Sequence, residues 1–210
     1  MLHSNTNIAA VLSLVLLAAA SSSFAGDSPE EINSRIGSGD PVAGKEKSVL
    51  CKDCHGADGN SIAPNYPRLA GQYAYEIQRQ IRNFQQGNRR DPKMTEVAMK
   101  LTDRRDLLDI AAYFASQKQM SGTPMKHEAG EKLYRDKGCL NCHGEIGKGK
   151  PSYNSLFPVI GGQHKEYLVK QMKDFKTGAR DTDISGTMGE LTNKMTDAEI
   201  EAVSAYLSGL

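Results

Sequence analysis

Apolar residues recur at helical spacing in four stretches of the chain. Ile77, Ile81 and Phe84 fall at i, i+4 and i+7, and Leu168, Met172 and Phe175 repeat that set. Leu107, Ile110, Ala111 and Phe114 form a second stripe, repeated by Ile200, Val203, Ser204 and Leu207. With 3.6 residues per turn, each set lies on one face of a helix. Gly87 and Gly178 follow the first pair of stripes and predict helix ends. Thr196-x-x-Glu199 predicts a capping box at the start of the last helix, whereas Thr102-x-x-Arg105 keeps only its first half. No run alternates β-branched and polar residues, so strands should be few and the fold all-α.

The paired stripes belong to a longer repeat. Cys51-Lys52-Asp53-Cys54-His55-Gly56 returns as Cys139-Leu140-Asn141-Cys142-His143-Gly144, and Pro67-Arg68-Leu69-Ala70-Gly71-Gln72 as Pro158-Val159-Ile160-Gly161-Gly162-Gln163. Gln80, Phe84, Gly87 and Arg89 return as Gln171, Phe175, Gly178 and Arg180, Met94 as Met188, and Ala112-Tyr113 as Ala205-Tyr206. Landmarks in one order predict two homologous domains, residues 40–118 and 127–210. Each reads as a short helix ending at the cysteine motif, a loop rich in Gly and Pro, a middle helix bearing the first stripe, and a C-terminal helix. Residues 119–126 contain Ser121-Gly122-Thr123-Pro124 and read as a linker. Residues 26–39 read as a mobile polar lead-in.

Charge removes some function classes. Lys plus Arg number 26 and Asp plus Glu 25, a net +1 spread evenly over both halves. That balance argues against a nucleic-acid partner, which needs clustered basic charge, and against disorder. Residues 1–25 hold no Asp, Glu, Lys or Arg, and an apolar run from Ile8 to Ala20 precedes Ser23-Phe24-Ala25. The run is shorter than the ~20 residues that span a bilayer. It has the form of a signal peptide with a small-x-Ala cleavage site, which implies export. The n-region has only His3 and the amino terminus for positive charge, so an uncleaved anchor is the alternative.

All four cysteines lie in two Cys-x-x-Cys-His motifs, the attachment pattern of c-type haem. Two thiols can add to the two vinyl groups of one porphyrin while the adjacent His reaches the iron. The expected cofactors are therefore two haem c, bound through Cys51, Cys54, Cys139 and Cys142, with His55 and His143 as axial iron ligands. A zinc site, a thioredoxin-like pair and structural disulfides explain the spacing less well. The repeat selects the second ligands, because Met94 and Met188 are the one Met pair shared by both copies, each expected in a loop before the last helix. Two six-coordinate irons leave no open position for a substrate, so no catalytic residues are expected. Pro67 and Pro158 can offer a carbonyl to the ring N–H of the ligating His, the alternative being ordinary turn prolines. Arg89 and Arg180 can pair with haem propionates, the alternative being solvated helix-end residues. Five Phe, eight Tyr and no Trp are few for two cores. A covalent haem supplies that missing contact area, so the haem-free chain should fold poorly.

Taken together, Cys51-x-x-Cys54-His55-Gly56-x-Asp58-Gly59-Asn60, Pro67-x-Leu69-Ala70-Gly71-Gln72, Gly87-x-Arg89, Met94, and in the second copy Met188 and Ala205-Tyr206-Leu207, resemble the cytochrome c4 family. The resemblance implies two class I cytochrome c domains related by a pseudo-twofold axis, with propionates facing each other near the interface. It implies a periplasmic electron carrier of a respiratory chain, soluble or loosely membrane-associated, whose partners are a donor complex and a terminal oxidase; the chain is expected to be a monomer, although the sequence does not fix its oligomeric state. The competing readings are a dihaem subunit of a dehydrogenase complex, such as flavocytochrome c sulfide dehydrogenase, and a dihaem peroxidase. Two matched Met ligands weigh against the peroxidase.

Overall fold

The computed structural model describes residues 27–150 and 155–210. The expected signal peptide, residues 1–25, lies outside the described residues. Among the described residues, eleven α-helices and one 3-10 turn make up the regular structure. The extended pairing among them is a single antiparallel bridge between Arg89 and Arg180.

The first half contains α2 (Pro41–Lys47), α3 (Lys52–His55), α4 (Ala74–Gln85), α5 (Pro92–Lys100) and α6 (Arg104–Ser116). The second repeats this order with α7 (Glu128–Asp136), α8 (Cys139–His143), α9 (Lys165–Thr177), α10 (Thr187–Asn193) and α11 (Asp197–Ser208). The stripes on α4 and α6 meet in one core that includes Ile77, Ile81, Phe84, Leu107, Ile110 and Phe114. Their counterparts Leu168, Met172, Ile200, Val203 and Leu207 form the second. The capping box at Thr196 and Glu199 is present. In the first half the cap is Asp103 rather than Thr102, its carboxylate accepting from the Arg105 N–H.

In each half the entry helix crosses the exit helix at a glycine. A Cβ on Gly44 would stand 1.9 Å from the Asp109 carbonyl oxygen, and one on Gly130 would stand 2.2 Å from that of Ala202. Both crossings need a residue without a side chain, since no repacking of side chains moves a backbone oxygen aside.

Two expectations need correction. The lead-in is not a mobile tail. Residues Pro29–Ile36 form α1, with Ser28 and Glu31 in a reciprocal capping box and Pro29 at the first position. The helix is held by Arg35, only 4% exposed, which pairs with Asp27 and donates to the Ala115 carbonyl at the end of α6. Met94 and Met188 do not sit in loops either. They open α5 and α10, where Asp91 and Asp183 accept their backbone N–H groups. Both helices carry short apolar faces, so periodicity alone does not find them.

The halves meet around Tyr73, Met120 and Val159, from the first half, the connecting segment and the second half. Gln72 and Gln163, equivalent in the repeat, reach across this contact in opposite senses. The Gln72 amide donates to the Val159 carbonyl at 2.8 Å and accepts the Val159 N–H at 3.0 Å. The Gln163 amide donates to the Arg68 carbonyl at 2.9 Å and accepts the Arg68 N–H at 2.8 Å. Tyr73 and His164, also equivalent, donate to the Lys150 and Ser61 carbonyls of the opposite half.

Candidate functional site

Each cysteine motif forms a short helix, and the glycine after it, Gly56 or Gly144, takes a positive φ that turns the chain away. The two histidines are buried and bonded alike. His55 Nδ1 lies 2.8 Å from the Pro67 carbonyl oxygen, and His143 Nδ1 lies 2.9 Å from that of Pro158. A carbonyl can only accept, so in both rings Nδ1 carries the proton and Nε2 keeps its lone pair. Burial holds both imidazoles below their ordinary pKa against the opposing pull of the proline carbonyl. Each His is thus a neutral, oriented imidazole whose Nε2 has the lone pair that a metal would need.

None of the four cysteines is paired in a disulfide. Burial is the main force pushing the Cys51 thiol up to about 11, with Cys54 adding to it, and burial also raises Cys139. Surroundings that reject a thiolate suit an uncharged thioether. Among the described residues no three His, Cys, Asp or Glu side chains converge. The two cysteine pairs therefore do not assemble one zinc site.

In the second half Cys139, Cys142 and His143 line a cavity shared with Met188, whose walls include Leu168, Met172, Met195 and Val203. Two thiols, an imidazole and a thioether around an apolar cavity match the donor set of a covalent haem. In the first half Cys51 belongs to the core, and Leu69 and Met94 pack against it.

Arg89 and Arg180 sit at the interface rather than at solvated helix ends. Arg89 is 9% exposed and donates to Gln80, to the Tyr167 hydroxyl and to Gln171. Arg180 is half-buried and donates to Thr182 and to the same Gln171 oxygen. Each guanidinium lies over its own half's phenylalanine, Arg89 at 4.7 Å from Phe84 and Arg180 at 4.5 Å from Phe175. Burial first, and Arg89 second, push Arg180 down to about 10. Glu76, on the same cavity wall, opposes that shift, so the two guanidinium groups meet with one carboxylate within reach.

Residues 127–210 match the family model for cytochrome c. The chain is 41% identical over 182 residues to cytochrome c4 of Pseudomonas aeruginosa, covering 82% of this chain and 89% of that protein. The chain belongs to the cytochrome c4 family. A crystal structure of reduced recombinant cytochrome c4 from Pseudomonas stutzeri is similar in fold, with a TM-score of 0.75. It shares 38% identity over 82% of this chain and 99% of that one. A more distant relative is a thiosulfate dehydrogenase electron acceptor of Thiomonas intermedia. It is 32% identical over 181 residues, covering 80% of this chain and 81% of its own length. As a cytochrome c4, this protein is an electron-transfer protein rather than an enzyme, its cofactors are two covalently attached haems, and its partners are redox proteins.

Gln72 and Gln163 are visible in the sequence as repeat landmarks, but nothing in the sequence assigns them a partner. Tyr167 carries no sequence signal at all. Its equivalent in the first half is an acid, Glu76, and the two share no chemistry that would flag the position.

Proposed function

We propose that this cytochrome c4 is a periplasmic carrier that moves single electrons through a respiratory chain towards a terminal oxidase. In this reading residues 1–25 are a cleaved export signal, and thioether formation then takes place in the compartment where the protein works. Cys51 and Cys54 attach one haem, and Cys139 and Cys142 the other. His55 with Met94, and His143 with Met188, are the axial ligands. Pro67 and Pro158 orient the two imidazoles, and Arg89 and Arg180 hold propionates at the interface.

The observation that carries this reading is the duplication of one site. The same neutral, carbonyl-bonded histidine occurs in both halves, and the two halves meet directly. When bound, the haems supply one-electron iron chemistry at positive potentials. The chain's part is to hold the ligands, keep water from the irons and fix the distance between the two sites. Pyridine haemochrome analysis against protein mass should return two haems. Potentiometric titration should need two one-electron steps, both positive. A stoichiometry of one, or a step far below zero, would overturn the assignment.

A second reading has its own support in the Thiomonas intermedia relative. In it, this protein accepts electrons directly from a dehydrogenase of sulfur compounds. The native mass distinguishes the two, since a stable dehydrogenase complex would purify as a larger assembly.

A further inference from the structure

The proline carbonyl that orients each histidine belongs to a peptide unit whose other end is held by the opposite half. Pro67 C=O and Arg68 N–H are the two ends of one amide. The oxygen accepts from His55, and the N–H donates to Gln163 of the second half. Pro158 C=O and Val159 N–H repeat the arrangement, with His143 at one end and Gln72 of the first half at the other. A backbone N–H only donates and a backbone carbonyl only accepts, so the orientation of both glutamine amides is settled. Each glutamine oxygen also receives the N–H of the next residue, Tyr73 or His164, at 3.0 Å, which fixes its position. Gln72 and Gln163 are 8% and 4% exposed, so water does not compete strongly for these bonds.

Hydrogen bonds in series across one amide polarise one another, and more so away from water. An acceptor on the Arg68 N–H makes the Pro67 oxygen a better acceptor. The His55 N–H bond then strengthens, and the ring becomes a more electron-rich ligand, as outer partners of a metal-bound His do. A more electron-rich ligand favours the oxidised iron. We infer that Gln163 and Gln72 are crossed positioning residues: each tunes the haem of the other half through the amide that carries that half's proline carbonyl. This rests on the ligation proposed above.

The test uses the full-length dihaem protein. Gln163→Leu removes the acceptor from the Arg68 amide. The N-terminal haem should become easier to reduce, with a two- to tenfold rise in its reduced-to-oxidised ratio at fixed potential. Tenfold corresponds to ~59 mV for one electron. The C-terminal haem should hold its potential, and Gln72→Leu should give the mirror result. A redox titration followed by NMR, with haem methyl resonances assigned to each half, reads the two potentials separately. Tyr73→Phe removes a different cross-interface bond and should move neither potential by a comparable amount. A shift confined to the variant's own half, equal shifts at both haems, or no shift overturns the inference. If Gln163→Leu loses haem, Gln163→Met carries the same expectation. In the wild type, the Arg68 and Val159 amides should exchange slowly with solvent, and fast exchange at either also overturns it. Failure of the ligation itself is distinguishable, because the oxidised wild type would then lack hyperfine-shifted ring N–H signals from His55 and His143.

Discussion

The two halves share one plan, with a glycine at each helix crossing, but differ in what surrounds that glycine. In the first half, Asp109 lies at the crossing, 2% exposed, and collects the Asp40 N–H, Lys47 and Arg105. Lys47 also pairs with Asp106. In the second half the equivalent position is Ala202, and the same crossing is closed by Gly130 against Ala202 and Tyr206. α1 adds a further layer to the first half and has no counterpart in the second among the described residues. A duplicated fold can therefore keep its haem-binding geometry while a buried charged cluster at one crossing is replaced by apolar contact at the other, where the ion pair Lys137–Glu199 between the end of α7 and α11 is partly exposed. The difference predicts that conditions acting on charge separate the halves and conditions acting on packing do not.

The largest effects should come from the proposed axial methionines, where the halves ought to behave alike. Met94→Ala should remove one of two Met–iron charge-transfer bands in the ferric near-infrared spectrum and open that iron to cyanide or carbon monoxide. Met188→Ala should do the same to the other. Survival of both bands in either variant would refute the assignment at that half.

Next come the crossings. Gly44→Ala and Gly130→Ala should each destabilise their own half by about 1–3 kcal/mol, the usual cost of overpacking. Thermal melts followed at haem-specific signals would show it, and the effect should be similar in both. A substitution tolerated at one crossing only would mean that the two helix pairs are not equally close.

Acid should then set the halves apart. Burial pushes the Asp109 carboxyl up, but the Asp40 N–H, Lys47 and Arg105 outweigh it and hold it below its ordinary value. A carboxylate whose pKa is lowered by folding contributes stability above its unfolded pKa, and this is lost as pH falls through the folded value. The first half should thus lose stability preferentially below about pH 3.8, the ordinary value for this group. Asp109→Asn should abolish the difference in acid unfolding monitored half by half.

The smallest effect concerns the interface. Burial holds His164 below its ordinary 6.5, with the Ser61 carbonyl opposing. A histidine lowered by folding supports the folded state above its unfolded pKa and withdraws that support as pH falls below it. Tyr73, its equivalent, does not titrate in this range. Amide protection factors around Ser61, corrected for the intrinsic pH dependence of exchange, should fall between about pH 7 and 5, with no matching change around Lys150. His164→Tyr should remove the asymmetry.

Much of this is legible in the sequence alone. The helical stripes, the doubled cysteine motif and the single Met pair are local patterns, and local patterns survive in one dimension. α1 escapes a reading by periodicity because its anchor is the charged Arg35 rather than an apolar face, although Ser28, Pro29 and Glu31 spell out its start. α5 and α10 escape it because short helices carry too few apolar positions to show a period. The glutamine clasp is out of reach for another reason. Gln72 and Gln163 are polar residues whose partners lie 87 and 95 residues away in sequence, and only the folded chain brings them together.

That clasp has the form of an isologous contact, in which the same surface on two equivalent units grips itself in both directions. Two separate units would make it only at sufficient concentration. Joined through the segment that buries Met120, they meet at an effective concentration set by the tether, about millimolar for a short linker. The spacing between the two redox sites then no longer depends on how much protein the cell makes. An electron arriving at one half finds the other already docked, even when molecules of this protein are scarce.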